Sequence, residues 1–498
     1  MNGIDYVAQI LREEGVEWLA CFPSNPLIEA AAQAGIRPIT FRHERGAVMA
    51  ADGFSRTSNR QRFGVVAVQS QAGAENAMGG LAQAFADNIP ILVLPGGVTL
   101  DQLPVRPNFS ALHHYAGLAK QVEAIYSPDQ VGNAMRRAFH ALRNGRPGPV
   151  VIEMMADVCA REVPSEGHNY HSPTPAYQVP AAGDVQHAVK ALLDADRPVI
   201  WAGRGVLFSG ASAELEELAE LTGIPVFCTM PGKSAFDERH PLALGAGSGA
   251  TTLPAHRWLG QCDVLLALGS SLTRSPYGQP IRPGTILIQN SNNPDDINKD
   301  EAVAIGLIGD AKLTLQALLD EVKARVGEES ADYAPVAARI ATLRKQWLDK
   351  WTPLLASDEQ PLNTYRVIHE IDRTLDRENS IVTHDAGAPR DSIVPFYTAT
   401  IPHSYIGWGK TTHLGFGIPL MIGAKLAHPD RFCLNLMGDG AFGMSGLDIE
   451  TAVRAEVPIT TVLLNNGGMA TYPGGFPVAR DRYGVSRMHG DYAKIAAG

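Results

Sequence analysis

Residues 431–472 carry the pattern that most restricts the fold. An apolar run, Phe432–Met437, is closed by Gly438-Asp439-Gly440, and an amphipathic segment follows from Met444 to Ala455. After a break at Pro458, a second apolar run, Ile459–Leu464, is closed by Asn465-Asn466-Gly467-Gly468. Short continuous apolar runs between glycine turns read as strands buried on both faces. Strand, helix and strand within about forty residues form a βαβ unit, whose parallel strands put their C-terminal ends on one edge. Asp439 and Asn466 therefore emerge side by side. A carboxylate, a side-chain amide and a nearby carbonyl are hard oxygen donors suited to Mg²⁺. Gly440 and Ala441 place backbone N–H groups at a helix N-terminus, which favours a diphosphate. The competing reading is a Gly-Asp-Gly turn and an unrelated Asn-Asn turn.

The same alternation recurs upstream. Val16–Phe22, Ile36–Phe41, Phe63–Val68 and Ile91–Leu94 read as strands, separated by helical segments at Leu27–Ala34, RHERGAVMAADGFSR and QSQAGAENAMGGLAQAFAD. Strands alternating with helices predict parallel sheets wrapped by helices. Residues 171–185 are rich in Pro and Ala and read as a linker. A second α/β unit follows, with strands in RPVIWAGRGV, IPVFCTM, CDVLLALGSSL and TILIQN and a closing helix at AKLTLQALLDEVKARV. A charged helix, Ala337–Lys350, then connects to a last unit that begins near Pro361. The expected fold is α/β, with three doubly wound parallel-sheet domains at 1–170, 186–325 and 361–498.

Gly438-Asp439-Gly440, 24 residues, then Asn465-Asn466 resembles the metal–diphosphate motif of thiamine-diphosphate-dependent enzymes. That resemblance makes Asp439, Asn466 and the Gly468 carbonyl the Mg²⁺ ligands, with Gly438, Gly440, Ala441 and Phe442 against the cofactor. By position alone Glu44 is a helix-opening glutamate favoured by the helix dipole. Its segment, RHERGAVMAADGFSR, resembles the one that carries the catalytic glutamate of acetolactate synthase-like enzymes. There the glutamate hydrogen-bonds N1′ of the aminopyrimidine, favouring the imino tautomer whose 4′ nitrogen removes the thiazolium C2 proton. By the same resemblance Pro23, Gly73, Asn76 and Gly387 border the cofactor. Leu414 would be the apolar wedge that bends it, although its spacing fits a plain core leucine equally well.

The central Gly203-Arg204-Gly205 turn is weak evidence of a dinucleotide site, having no obvious acidic ribose partner. In the resembled family this domain holds FAD, ADP or nothing; here only Arg274 echoes the expected basic segment, so FAD is the less favoured occupant. Arg390 would contact phosphate or pair on the surface. His113, His114 and Met469 are candidate substrate contacts, with surface or helix-capping roles as the alternative for the two histidines.

Charged residues make up 19% of the chain and hydrophobic ones 45%, enough for large cores. A net charge of −10 with no basic run argues against nucleic acid. No apolar stretch reaches the length of a membrane span. Five scattered cysteines fit reduced thiols and a cytoplasmic protein. The resemblance implies a homodimer or homotetramer with the active site across the interface. It also implies a small 2-keto acid substrate, decarboxylated with carboligation. A non-ligating decarboxylase or a 2-hydroxyacyl-CoA lyase-type C–C lyase is the alternative, because the Gln-Trp-Glu acceptor segment of acetolactate synthases is missing after Gly468. A catalytically impaired cofactor-binding paralogue is the non-enzyme alternative. Relatives are expected to continue beyond DYAKIAAG with another strand and a closing helix.

Overall fold

The computed structural model describes residues 1–58, 60–469 and 474–498; residues 470–473, at the end of the motif-bearing stretch, lie outside it. Each stretch of strand–helix alternation folds into its own sheet, and every paired strand within a sheet is parallel. The first sheet holds β1 (Trp18–Cys21), β2 (Arg37–Thr40), β3 (Gly64–Val68), β4 (Ile91–Pro95), β5 (Gln121–Ile125) and β6 (Val150–Met154), ordered 2-1-3-4-6-5. The second holds β7 (Pro198–Ala202), β8 (Val226–Thr229), β9 (Ala243–Gly247), β10 (Val264–Leu268), β11 (Ile286–Ser291) and β12 (Ile305–Ile308), ordered 12-11-10-7-8-9. The third holds β13 (Ser380–His384), β14 (Tyr405–Ile406), β15 (Phe432–Gly438) and β16 (Thr460–Leu464), ordered 14-13-15-16. Inner strands such as β3, β4, β6 and β10 are buried at every residue, because helices cover both faces of the sheet.

Two glycines let the first and third units meet closely. The helix Gly417–Ala427 crosses the helix Glu44–Thr57 so tightly that a Cβ at Gly423 would strike the Ala50 carbonyl, and one at Gly53 the Leu420 carbonyl. A buried charge network pins the same region. Arg56 pairs with Asp52 and, at 2.8 Å, with Asp87, and its Nη1 also reaches the Gly407 carbonyl at 3.4 Å. Arg204, from the second unit, donates to the Gly407 carbonyl at 3.0 Å, and Gly409 N–H reaches Asp87 at 3.4 Å. Buried charges are tolerated when each has such partners. The result fixes the start of the loop that leads to Leu414.

One expected element divides. Instead of one helix from Met444 to Ala455 there are two, Asp439–Ser445 and Asp448–Arg454. Gly443 and Gly446 weaken helix propagation, and Gly446 lies so close to Phe442 that a Cβ would sit 2.6 Å from its ring. The break turns Asp448 toward the first unit. Among the described residues no helix is long and apolar enough to cross a membrane.

Candidate active site

The third sheet gathers three side chains at one edge. Register pairs His384 with Leu436 and Gly438 with Leu464, so Asp385, Asp439 and Asn465 all follow directly from the C-terminal ends of neighbouring strands. That edge is where open α/β sheets place ligands. Asp439 is 2% exposed; its Oδ1 accepts Gly440 N–H at 2.9 Å and its Oδ2 accepts Gly467 N–H at 2.8 Å. The carboxylate thus holds the turn containing Asn466, whose Oδ1 accepts Gly468 N–H at 3.0 Å on an exposed surface. Gly468 bridges to Arg487, while Met469 N–H bonds to the Ser486 carbonyl at 2.8 Å. Asp439 thus bonds to the turn that carries the Asn466 amide and the Gly468 carbonyl, hard oxygen donors of a kind that fits Mg²⁺. The Gly440 N–H expected to stand free is instead used by Asp439. Gly438 leaves open space where a side chain would be, and a Cβ at Gly440 would lie 2.6 Å from the Met469 Cγ. Ala441 and Phe442 are buried beneath, with Phe442 edge-on to Tyr492 at 5.4 Å.

Glu44 opens its helix and is 4% exposed. Asn76 Nδ2 donates to its Oε2 at 3.1 Å, and a Cβ built at Gly73 would lie 3.3 Å from its Oε1. Pro23 is exposed just past β1. Close by, Asn25 was not anticipated: it donates to the Val68 and Leu94 carbonyls at 2.8 and 3.0 Å, clamping the ends of β3 and β4. Asp448 was also missed. It accepts Arg42 N–H at 3.1 Å and lies 2.5 Å from where a Gly46 Cβ would stand; burial raises its carboxyl above the usual range. Together with Arg42–Glu450 at 2.8 Å and Arg45 to the Met444 carbonyl at 3.0 Å, it seats the Glu44 helix on the third unit. Such contacts join residues about 400 apart in sequence, so only a strand-edge or helix-start position could have suggested them.

Leu414 is half-buried and packs against two core clusters, both of which combine side chains of the first and third units. Its loop hangs on Asp385, whose Oδ1 accepts Ala386 and Gly415 N–H at 2.8 and 3.0 Å and whose Oδ2 accepts Gly417 N–H at 2.9 Å. Burial pushes this carboxyl up to about 6, against three backbone N–H bonds that pull it down. Since that lies above the ordinary 3.8, the folded chain takes up the proton more readily than the unfolded one. Acidification below about pH 6 therefore favours folding through this group while it removes acceptors from the Leu414 loop. Turnover is expected to fall below about pH 6. Asp385→Asn, which leaves a donor facing one of the N–H groups, should turn over more slowly at neutral pH and lose that acid limb. Identical pH–rate profiles would contradict the role.

Gly387 adopts φ 87° and ψ −145°, a backbone region open to glycine, and caps the helix Ala388–Ile393. Arg390 does not project to the surface, and its buried Nη1 has no hydrogen-bond partner among the described residues. It is 3% exposed, donates through Nε to Asp391 at 2.8 Å and lies over the Tyr277 ring. His113 and His114 sit exposed on a single helical turn, with His113 Nδ1 3.2 Å from Ser110 Oγ and the His114 ring stacked on Phe109 at 4.2 Å. Beside the strand ends of the second unit a cavity of about 750 Å³ opens, lined by Arg60, Arg146, Arg204 and Lys410 and also by Asp87, Asp296 and Asp310.

The family models agree with this division of labour. They match the thiamine pyrophosphate enzyme N-terminal TPP binding domain at residues 1–123, the central domain at 185–318 and the C-terminal TPP binding domain at 385–498. A probable acetolactate synthase large subunit from Methanocaldococcus jannaschii is 32% identical over 485 residues, 94% of this chain and 80% of the relative. The chain belongs to the thiamine pyrophosphate enzyme family. A second probable acetolactate synthase large subunit, from Methanococcus aeolicus, is 30% identical over 488 residues, with 94% of this chain and 80% of the relative covered. The acetolactate synthase isozyme 3 large subunit of Escherichia coli K12 is 27% identical over 491 residues, 94% and 82% of the two chains. In this thiamine pyrophosphate enzyme Glu44 lies within the matched N-terminal TPP binding domain and Asp439 within the matched C-terminal one.

Proposed function

We propose that this enzyme decarboxylates a pyruvate-like 2-keto acid and ligates the product to a second carbonyl, as acetolactate synthase large subunits do. One observation carries the reading: a buried glutamate held by an amide at a helix start, on a chain that also presents the Asp439–Gly468 oxygen cluster. In this reading Asp439, Asn466 and the Gly468 carbonyl hold Mg²⁺, and Gly387, Gly438, Ala441 and Phe442 border the diphosphate half. Pro23, Gly73 and Asn76 line the pyrimidine half, where Glu44 shares a proton with the ring nitrogen. Bound thiamine diphosphate supplies a carbon nucleophile and an electron sink for loss of CO₂. Leu414 would supply an apolar contact to the bound cofactor, and Asp385 fixes the loop that carries it.

The working units in this proposal are 1–170, 186–325 and 361–498. FAD is the less favoured occupant of the central cavity. The glycines of its turn pack against the Gly269 backbone, and Arg274 is paired with Glu301 at 2.7 Å. Five buried free cysteines favour a reducing compartment, the cytoplasm.

The enzyme in this reading is a homodimer or homotetramer with the active site across the interface. Exposed Met444, Leu447 and Val453 beside the Asp439 helix supply apolar surface for it. Reassorting the subunits of Glu44→Gln with those of Asp439→Ala tests this directly. About a quarter of wild-type activity should return, since each mixed dimer holds one intact site. No recovery would mean that Glu44 and Asp439 of one chain serve the same site.

A further inference from the structure

Gln71 stands at the start of the helix Ala72–Ala86 with φ 59° and ψ −116°. This is the conformation of the second residue of a type II′ turn, where glycine is favoured because a Cβ is crowded. A non-glycine residue keeps such a backbone only where its surroundings over-determine it, and residues of this kind gather at functional sites. What determines it here is the side chain. Oε1 accepts Phe109 N–H at 2.9 Å, and Nε2 donates to Asn108 Oδ1 at 3.1 Å. Asn108 passes the link on, donating to the Gln102 carbonyl at 2.9 Å.

Both ends of this link meet the chemistry. Two residues after Gln71, Gly73 lies against the Glu44 carboxylate. At the other end Phe109 carries the stacked His114 ring and packs edge-on to Tyr115 at 5.6 Å, while the Tyr115 hydroxyl donates to the Ala74 carbonyl. Glu153, 1% exposed, accepts N–H groups of Ala111 and Leu112 at 3.0 and 3.1 Å and anchors the far side of the segment. The start of the loop before Phe109 is held elsewhere, by Leu100 N–H on Asp157 at 3.0 Å. At its end it is the Gln71 amide that fastens it to the Glu44 corner.

We propose that Gln71 is a positioning residue: its amide holds the wall formed by Phe109 and His114 in register with Glu44, and so sets how the keto acid is seated. The inference rests on the reading of Glu44 as the catalytic carboxylate. Its signature is a pair of effects with opposite sign. Glycine at this position relieves the backbone but cuts the link, whereas a turn with a purely architectural role would gain stability at no catalytic loss.

Gln71→Gly, Gln71→Glu and Glu44→Gln are compared in one steady-state assay with pyruvate, thiamine diphosphate and Mg²⁺, alongside thermal unfolding. In Gln71→Gly the relief of the backbone and the loss of two hydrogen bonds oppose each other, so Tm should stay within about 4 °C of wild type. The substitution should raise KM for the keto acid about tenfold, through the two lost hydrogen bonds, with cofactor affinity within about twofold of wild type. Gln71→Glu keeps the acceptor for Phe109 N–H and should recover most of the KM. An unchanged KM in Gln71→Gly, or a KM that Gln71→Glu does not recover, overturns the proposal. If Glu44→Gln turns over like wild type, it is the reading of Glu44 that has failed, whatever Gln71 does.

Discussion

Asp439→Ala should abolish Mg²⁺-dependent binding of thiamine diphosphate. The carboxylate is the one charged donor in the cluster, and it also holds the Asn466 turn through Gly467 N–H. Loss of a group that merely orients a metal ligand already costs 10–100-fold in affinity, so removal of the charged ligand is expected to exceed about 100-fold. Two N–H groups lose their acceptor as well, which adds about 1–3 kcal/mol of destabilisation. Asp439→Asn separates the two effects, since it keeps the volume and one acceptor but removes the charge. Isothermal titration with and without EDTA reads the binding, and thermal unfolding reads the fold. Tight cofactor binding by a folded Asp439→Asn protein would place the metal elsewhere.

Glu44→Gln should leave the fold and cofactor affinity nearly intact and remove turnover. Gln at this position can still accept from Asn76 Nδ2, now 3.1 Å from the carboxylate. What it cannot do is share a proton with a ring nitrogen. General acid–base groups of this kind contribute about 10²–10⁴-fold, and a loss of that size in kcat is expected. Hydrogen–deuterium exchange at the thiazolium C2 of the bound cofactor reads the step itself and should slow in parallel. Wild-type exchange in Glu44→Gln would assign the proton transfer to another group.

The parts of the fold that could be read early are those where one physical signal dominates. β3, β4, β10 and β15 are buried nearly throughout, so their apolar runs stand out, and glycine turns mark their ends. Parallel pairing then carries Asp439 and Asn466 to one edge, and the observed register of Gly438 beside Leu464 has that geometry. β9 (ALGAG) and the two-residue β14 are too small-sided or too short to carry a periodic signal, and pairing with neighbours alone makes them strands. Asp385 had a legible clue, since it follows a strand just as Asp439 does; two of its three N–H bonds come from a loop about thirty residues on. Asp448 depends on a helix break and on contact with Arg42, and Gln71 on a positive φ at a residue type that seldom adopts one. Those are tertiary facts. Composition and periodicity contain no trace of them.

The products formed from pyruvate by wild-type enzyme supplied with thiamine diphosphate and Mg²⁺ distinguish a carboligase from its alternatives most directly. Acetolactate released with CO₂, and absent when Glu44 is replaced by Gln, is the predicted result. Acetaldehyde as the sole organic product, or no turnover of pyruvate or any other 2-keto acid despite metal-dependent cofactor binding, would contradict the assignment of a carboligase.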